Sequence, residues 1–375
     1  MNIECNVSEL YSALVTTAKG AAKVSAYCLA LRDGKLRLSS TGEHQTVYQT
    51  IKTPDLGAAL DLQFVGAPDA GLLKGFAGPC TVEATDTHIT VRQGGQTLAS
   101  YACALVETPP PHPTIEPHGA FSVDASTLVD VLTRTVKTSG DKVFRKNEVV
   151  ALSLKPFNGR VALDVASTDS IRLTLCQLVV EGKVDAPTQL LLRADGVKSL
   201  LKILPKRGTI ALEYDREQVL VAWEGTVVSL VRSEDRFPNY SSIMPKSQAC
   251  VWDVDNAKLV ATMKTLLPAA KANDKKCKAV LELVPETTEL IIHVKDTLGG
   301  VDLERGVTLD RLDGCTTKNA RIAFNLAYFL EFLTLNPHKS CRVGWTSTTY
   351  PATLTPLEQD PKVTYTVILM PITHY

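Results

Sequence analysis

Three times along the chain a short alternating segment gives way to a run with apolar residues three and four apart. From about Ser8, Leu10, Leu14 and Ala18 share one helical face, and Lys19 and Lys23 lie near the end of the run. After Asp124, the residues Leu128, Val131, Leu132 and Val136 repeat that spacing, with Arg134 and Lys137 on the other face. After Asp255, it returns as Leu259, Met263, Leu266 and Leu267, with Lys258 and Lys264 elsewhere on the turn and Lys271 beyond. An aspartate ahead of such a run can accept the free N–H groups of the first helical turn, so Asp124 reads as a helix N-cap. Each pass therefore opens as a strand followed by an amphipathic helix.

A second helix is expected further along each pass, beginning near Asp69, Arg193 and Asn325. Short alternating strands fill the intervals. Asp33-Gly34, Gly94-Gly95 and Asn158-Gly159 stand between such strands, and these dipeptides suit the two-residue hairpin turns that need positive φ. Two segments resist both helix and strand. Thr108 to Pro113 carries four prolines and is stiff and extended. In Phe237 to Lys246, Pro238 and Pro245 bracket an aromatic and aliphatic run, which excludes a helix interior and a central strand. Placing the joints at these segments divides the chain into 1–118, 119–247 and 248–375. Two helices with two sets of strands, repeated three times, is an α+β architecture.

The 375 residues suit two or three domains, and 45% hydrophobic residues are enough for real cores. No apolar run is long enough to cross a membrane, and no secretory leader is visible, so a cytoplasmic location is expected. Nine cysteines, odd in number and without a C-x-x-C pair, point to free thiols in a reducing compartment rather than to a disulfide scaffold or a zinc site. Forty basic and forty acidic side chains cancel, which argues against a protein that coats nucleic acid by charge alone but leaves room for segregated faces.

Chemistry is hard to find in the sequence. There is no G-x-S-x-G elbow, no phosphate-binding G-x-x-x-x-G-K-[ST] loop and no H-E-x-x-H. Asp164 and Asp169 could be read as a paired carboxylate site, but Thr168-Asp169-Ser170 is more simply a turn whose side chains bond nearby backbone. His112 and His118 flank the proline-rich joint, where a solvated loop accounts for them. No catalytic residue, cofactor or metal is expected.

Three strings do stand out. Phe237-Pro238-Asn239-Tyr240-Ser241-Ser242-Ile243-Met244-Pro245 resembles the F-P-x-Y-x-x-[IVL]-x-P string that ends the middle domain of the bacterial DNA polymerase III beta subunit, the replicative sliding clamp. Thr168-Asp169-Ser170-Ile171-Arg172-Leu173 is similar to its T-D-G-H-R-L turn, and Val367-Ile368-Leu369-Met370-Pro371-Ile372 to its C-terminal V-V-M-P-M strand. The resemblance spans the chain and is sharpest from Phe121 onward. It implies three repeated clamp domains with helices lining a ring and antiparallel sheets outside, closing as a homodimer around duplex DNA and tethering the replicative polymerase as a processivity factor. An ATP-driven clamp loader, supplied by other proteins, would open the ring.

The resemblance also implies two kinds of site. Sequence-independent contact with duplex DNA would fall to Lys19, Lys23, Lys74, Arg134, Lys137, Lys198, Lys202, Lys264 and Lys271 on or beside the helices, and to the cluster Lys142, Arg145 and Lys146. The polymerase and clamp-loader subunits would present short peptide motifs to one apolar pocket. Its walls would be Thr168, Ser170, Ile171, Arg172 and Leu173 from the turn, Pro238, Ser242 and Ile243 from the joint, and Ile368, Leu369, Met370 and Pro371 from the C-terminal strand. The chain departs from the family at these places. Ser170-Ile171 replaces Gly-His, Ser241-Ser242 replaces a pair of arginines, Thr373 stands where an arginine follows the final strand, and Asp195 replaces a lysine that touches DNA. Ala269-Ala270 occupies a joint where bulky aliphatics are usual, which implies a weaker or differently built ring closure. The alternatives are a clamp-fold interaction scaffold that no longer encircles DNA and, from another class, a hydrolase with a dispersed site.

Overall fold

The computed structural model describes every residue except 22, 55–58, 108–109, 141–147, 274–275, 296–301, 317–319, 337 and 374–375. The chain forms two compact units. The first comprises Met1–Val136, Val149–Leu163 and Val180–Glu234, and the second Lys137–Glu148, Asp164–Val179 and Asp235–Tyr375.

In the first unit the strand Asn2–Asn6 runs directly into helix α1, Val7–Gly20. The Asn6 side chain accepts a hydrogen bond from Ser8 N–H and caps the helix. Val7, Leu10, Ala13, Leu14 and Thr17 are buried, a face one position wider than the apolar spacing alone suggests, while Ala18 is only half-buried. Val7, Leu10, Ala13 and Leu14 pack with Ile3, Leu29, Leu36, Leu62, Val82 and Val91 into one core. The second pass repeats the opening. The strand Gly119–Asp124 leads into α2, Ala125–Val136, where Asp124 accepts from Thr127 N–H at 3.1 Å and from the Ser126 hydroxyl at 2.5 Å. Leu128, Val131, Leu132 and Val136 are all buried, as the spacing predicts. The strand Thr226–Val231 pairs with Gln45–Lys52, so residues of the first and second passes share a sheet within this unit.

The three expected hairpins form. Asp33 and Gly34, Gly94 and Gly95, and Asn158 and Gly159 all have positive φ, as a tight twisted turn requires. The second helix of the first pass is a correction. Ala70–Leu73 is a single 3₁₀ turn capped by Asp69, because Gly71 within it and Gly75 at φ 89°, just past the C-cap Lys74, leave no helix to propagate. Its counterpart in the second pass is α3, Ala194–Leu200. A β-carbon on Gly20 would lie 2.5 Å from Ile203 Cδ1 and 2.9 Å from Val47 Cγ2, so the end of α1 comes this close to its neighbours only because it is glycine. Pro111 and His112 of the proline-rich joint are docked rather than free: Tyr48 Oη donates to the Pro111 carbonyl at 2.9 Å, and the Tyr48 and His112 rings lie 5.6 Å apart. His112 is therefore half-buried, not in a solvated loop, and burial followed by Arg37 lowers its pKa.

In the second unit Cys250–Asp255 opens into α4, Asn256–Asn273, with Asp255 accepting from Lys258 N–H at 2.8 Å. Leu259, Met263, Leu266 and Ala270 are buried and Leu267 is half-buried. Helix α5, Leu326–Leu335, starts at Asn325, whose side chain accepts from Ala327 and Tyr328 N–H. Trp252, Trp345, Phe324 and Phe329 are wholly buried and pack ring against ring, with Trp252 stacked on Phe329 at 6.4 Å. A four-stranded antiparallel sheet runs in the order Asp302–Thr308, Glu289–Lys295, Lys278–Val284, Arg321–Asn325. The C-terminal strand Val363–Leu369 pairs with residues Arg172 to Leu178 in an antiparallel ladder, and this brings two of the three motif segments together.

Candidate functional site

The turn at Thr168–Arg172 is built almost entirely from its own side chains. Asp169 Oδ1 accepts from the N–H groups of Ile171 and Arg172 at 3.0 and 2.9 Å. The Thr168 hydroxyl donates to the Arg172 carbonyl at 2.7 Å and accepts from Ser170 N–H at 3.1 Å. Ser170 stands at φ 74°, a conformation that favours glycine, and these bonds hold a serine there. Arg172 Nε meets Asp169 Oδ2 at 2.9 Å, Nη1 meets Glu331 Oε1 at 3.0 Å, and Nη2 donates to the Lys137 carbonyl at 3.2 Å. The guanidinium also lies 4.1 Å from the centre of the Tyr328 ring. The Arg172 and Asp169 side chains are only 11% and 4% exposed. The arginine is thus consumed in bracing the turn against α5.

The same turn reaches the C-terminal strand. Arg172 lies opposite Leu369 and Leu173 opposite Ile368, and Met370 N–H donates to the Ile171 carbonyl at 2.9 Å. Thr168, Leu173, Ile368, Leu369 and Pro371 are buried and form the base. Ile171 and Met370 stay 40% and 36% exposed, apolar surface beside a rigid frame. From the third segment, Ile243 is 44% exposed, and Pro238 and Ser242 are also exposed. This segment is no plain connector. Asn239 caps a 3₁₀ turn over Tyr240–Ser242, Phe237 meets Tyr240 edge-on at 6.1 Å, and Tyr240 Oη donates to Asp164 Oδ2 at 3.3 Å. Asp164 and Asp169 therefore serve separate structural partners, Tyr240 with Gln177 in one case and Arg172 in the other. The bracing residues Tyr328 and Glu331 are not legible from the sequence, because nothing local in α5 points to a residue far away along the chain.

The helical cations divide. Lys19, Lys74, Lys198 and Lys202 of the first unit are exposed, as are Lys137, Lys264 and Lys271 of the second. Lys23 is exposed but paired with Glu43 at 2.5 Å. Glu43, His44 and Asp195 bring their ligand-type atoms within 4.8 Å of one another, so the Lys23 end of this patch carries acidic groups as well. Arg134 is a correction. Its side chain is 8% exposed and lies 2.6 Å from Asp130 one turn earlier, so the ion pair folds it against the helix and withdraws it from solvent. Lys142, Arg145 and Lys146 fall outside the described residues. Ala270 is buried within its own unit and Ala269 is half-buried.

No protein-family model matches the chain. A beta sliding clamp from Synechococcus elongatus is 26% identical over 305 residues, covering 78% of this chain and 75% of that protein. Among solved structures, the DNA polymerase III subunit beta of Pseudomonas aeruginosa superposes with a TM-score of 0.87 at 16% identity, covering 99% of this chain and all of that one. The beta subunit of Thermotoga maritima matches over the whole of both chains at 0.84 and 17% identity. A Pseudomonas aeruginosa clamp bound to griselimycin matches over the whole of both chains at 0.85 and 16% identity. The chain thus has the sliding-clamp fold over its full length and is similar in sequence to a beta sliding clamp.

Proposed function

We propose that this protein is a DNA sliding clamp: two copies close head to tail into a ring around duplex DNA and hold a polymerase at its template. The observation that carries the reading is the full-length match of the fold to solved clamps. Three domains, 1–118, 119–247 and 248–375, each opening with a capped strand-to-helix step at Asn6, Asp124 and Asp255, are the natural division for such a ring. The exposed lysines of α1, α3 and α4 supply salt-sensitive, sequence-independent attraction to phosphates, which suits a protein that must slide. The protein performs no chemistry of its own. It raises the effective concentration of its partner at the primer end, and the partner brings the reaction.

The turn at Thr168–Arg172, with Ile171, Ile243 and Met370, is the seat for short peptide motifs of the polymerase and loader subunits. Two buried aliphatic or aromatic anchors would each contribute about 1.5–3 kcal/mol. No helix among the described residues is long and apolar enough to cross a membrane. The place of work that goes with this function is the cytoplasm, where the duplex is copied. The deciding experiment is retention on circular against linear DNA after loading, with the mass of the free protein measured in parallel. Retention on circles, escape from cut ends and a dimeric mass are expected. Equal escape from both DNAs by a monomer would remove the ring and leave a peptide-binding scaffold.

A further inference from the structure

Cys5 and Cys80 are direct partners on neighbouring antiparallel strands, Asn2–Asn6 and Pro79–Ala84, and their Sγ atoms are 3.6 Å apart. Met1 and Ala84 exchange both backbone hydrogen bonds at 2.7 Å, and Val7 N–H donates to Gly78 at 3.0 Å. Counting along the ladder, Cys5 and Cys80 belong to the same hydrogen-bonded class, where opposed Cα atoms stand about 5.5 Å apart. That spacing is within the range a disulfide spans. Cys5 is half-buried, and Cys80, itself buried at 5% exposure, lies at the edge of an open cleft of about 180 Å³ between Glu4, Thr81, Arg92 and Gly94, by which a small oxidant can approach.

We propose that Cys5 and Cys80 are a reversible redox-modification site, closing a cross-strand disulfide that ties the N-terminal strand to its neighbour. The inference is independent of the clamp reading. The contact between the two thiols holds that of Cys80 below its usual range and pushes that of Cys5 up. Cys80, the one of the two thiols that borders the cleft, is the attacking sulfur. With hydrogen peroxide as oxidant, the Cys80 thiolate attacks one peroxide oxygen and the O–O bond breaks. Sulfur is oxidised by two electrons to the sulfenic acid, and hydroxide leaves as water after taking a proton. Cys5 then loses its proton and attacks the sulfenic sulfur. The S–S bond forms, the S–O bond breaks, and a second water departs. The sum is two thiols and one peroxide giving one disulfide and two waters. A reducing cytosol would reopen the bond, so it would form only under oxidant load.

The test treats the full chain with hydrogen peroxide, blocks remaining thiols by alkylation and maps the non-reduced digest by mass spectrometry. A peptide linking Cys5 to Cys80, with two of the nine thiols protected and both recovered on adding dithiothreitol, is the expected result. In Cys5→Ser the link should disappear and Cys80 should accumulate sulfenic acid that dimedone captures. The proposal is overturned if Cys5 and Cys80 both remain open to alkylation after peroxide, if Cys80 links instead to another cysteine, or if dimedone does not label Cys80 in the folded Cys5→Ser variant.

Discussion

At the scale of single residues, Arg172 and Asp124 show how few side chains hold the important corners. Arg172 is braced by two carboxylates, a carbonyl and a ring, so Arg172→Ala leaves Asp169 buried without its cation. A loss of about 3 kcal/mol or more is expected in urea unfolding. Asp124 acts through capping. Its carboxyl is held below the usual range, first by the Ser126 hydroxyl and then by Thr127 N–H. A pKa depressed by folding contributes stability that is present above the unfolded pKa and is lost as pH falls through the folded one. Asp124→Ala should therefore cost about 1 kcal/mol near neutrality. The difference from the parent should close as acid protonates the cap, which unfolding midpoints measured across pH would reveal. The Asp169 turn was legible because its bonds are local. The burial of Arg134 was not, since a cation on a helix reads the same whether it faces water or folds back onto Asp130.

At the scale of elements, the helices that follow Asn6, Asp124 and Asp255 were readable because capping and apolar spacing agree there. The helix expected near Asp69 failed because glycine overrode a plausible cap. Pairing across long separations was out of reach. Nothing in residues 363–369 states that they lie against 172–178, and only the family resemblance joined them. Gly182 illustrates a demand that only pairing creates. It stands at φ 150°, and a β-carbon there would lie 2.5 Å from Phe121 Cα on the paired strand. Gly182→Ala should lower the thermal midpoint and speed amide exchange along Gly119–Asp124, since backbone cannot move aside as a side chain can. At the proposed peptide seat the expectation is the opposite for stability. Ile171→Asp and Met370→Glu alter exposed positions, so folding should change by no more than about 0.5 kcal/mol. Binding of a motif peptide, followed by calorimetry, should fall at least tenfold as the apolar seat is replaced by charge.

At the scale of the whole molecule, the forty basic and forty acidic side chains cancel, while Lys198 and Lys264 stand exposed. If the lysines of α3 and α4 meet phosphates, Lys198→Glu with Lys264→Glu should weaken retention on circular DNA. The salt slope should also become shallower by about 0.9 for each phosphate no longer neutralised. Dimer mass should be unchanged, which separates weakened DNA attraction from failure of the ring. The proposed peptide seat obeys different physics. Its one arginine is already spent on Asp169, Glu331 and Tyr328, and its frame is hydrogen-bonded within the turn itself. A frame set before the ligand arrives has little ordering left to do, so most of the conformational change falls on the incoming peptide. Partners that share such a seat are expected to differ less in how fast they arrive than in how long they stay. Exchange of one replication protein for another would then be governed by residence times, with the departing partner, not the incoming one, setting the pace.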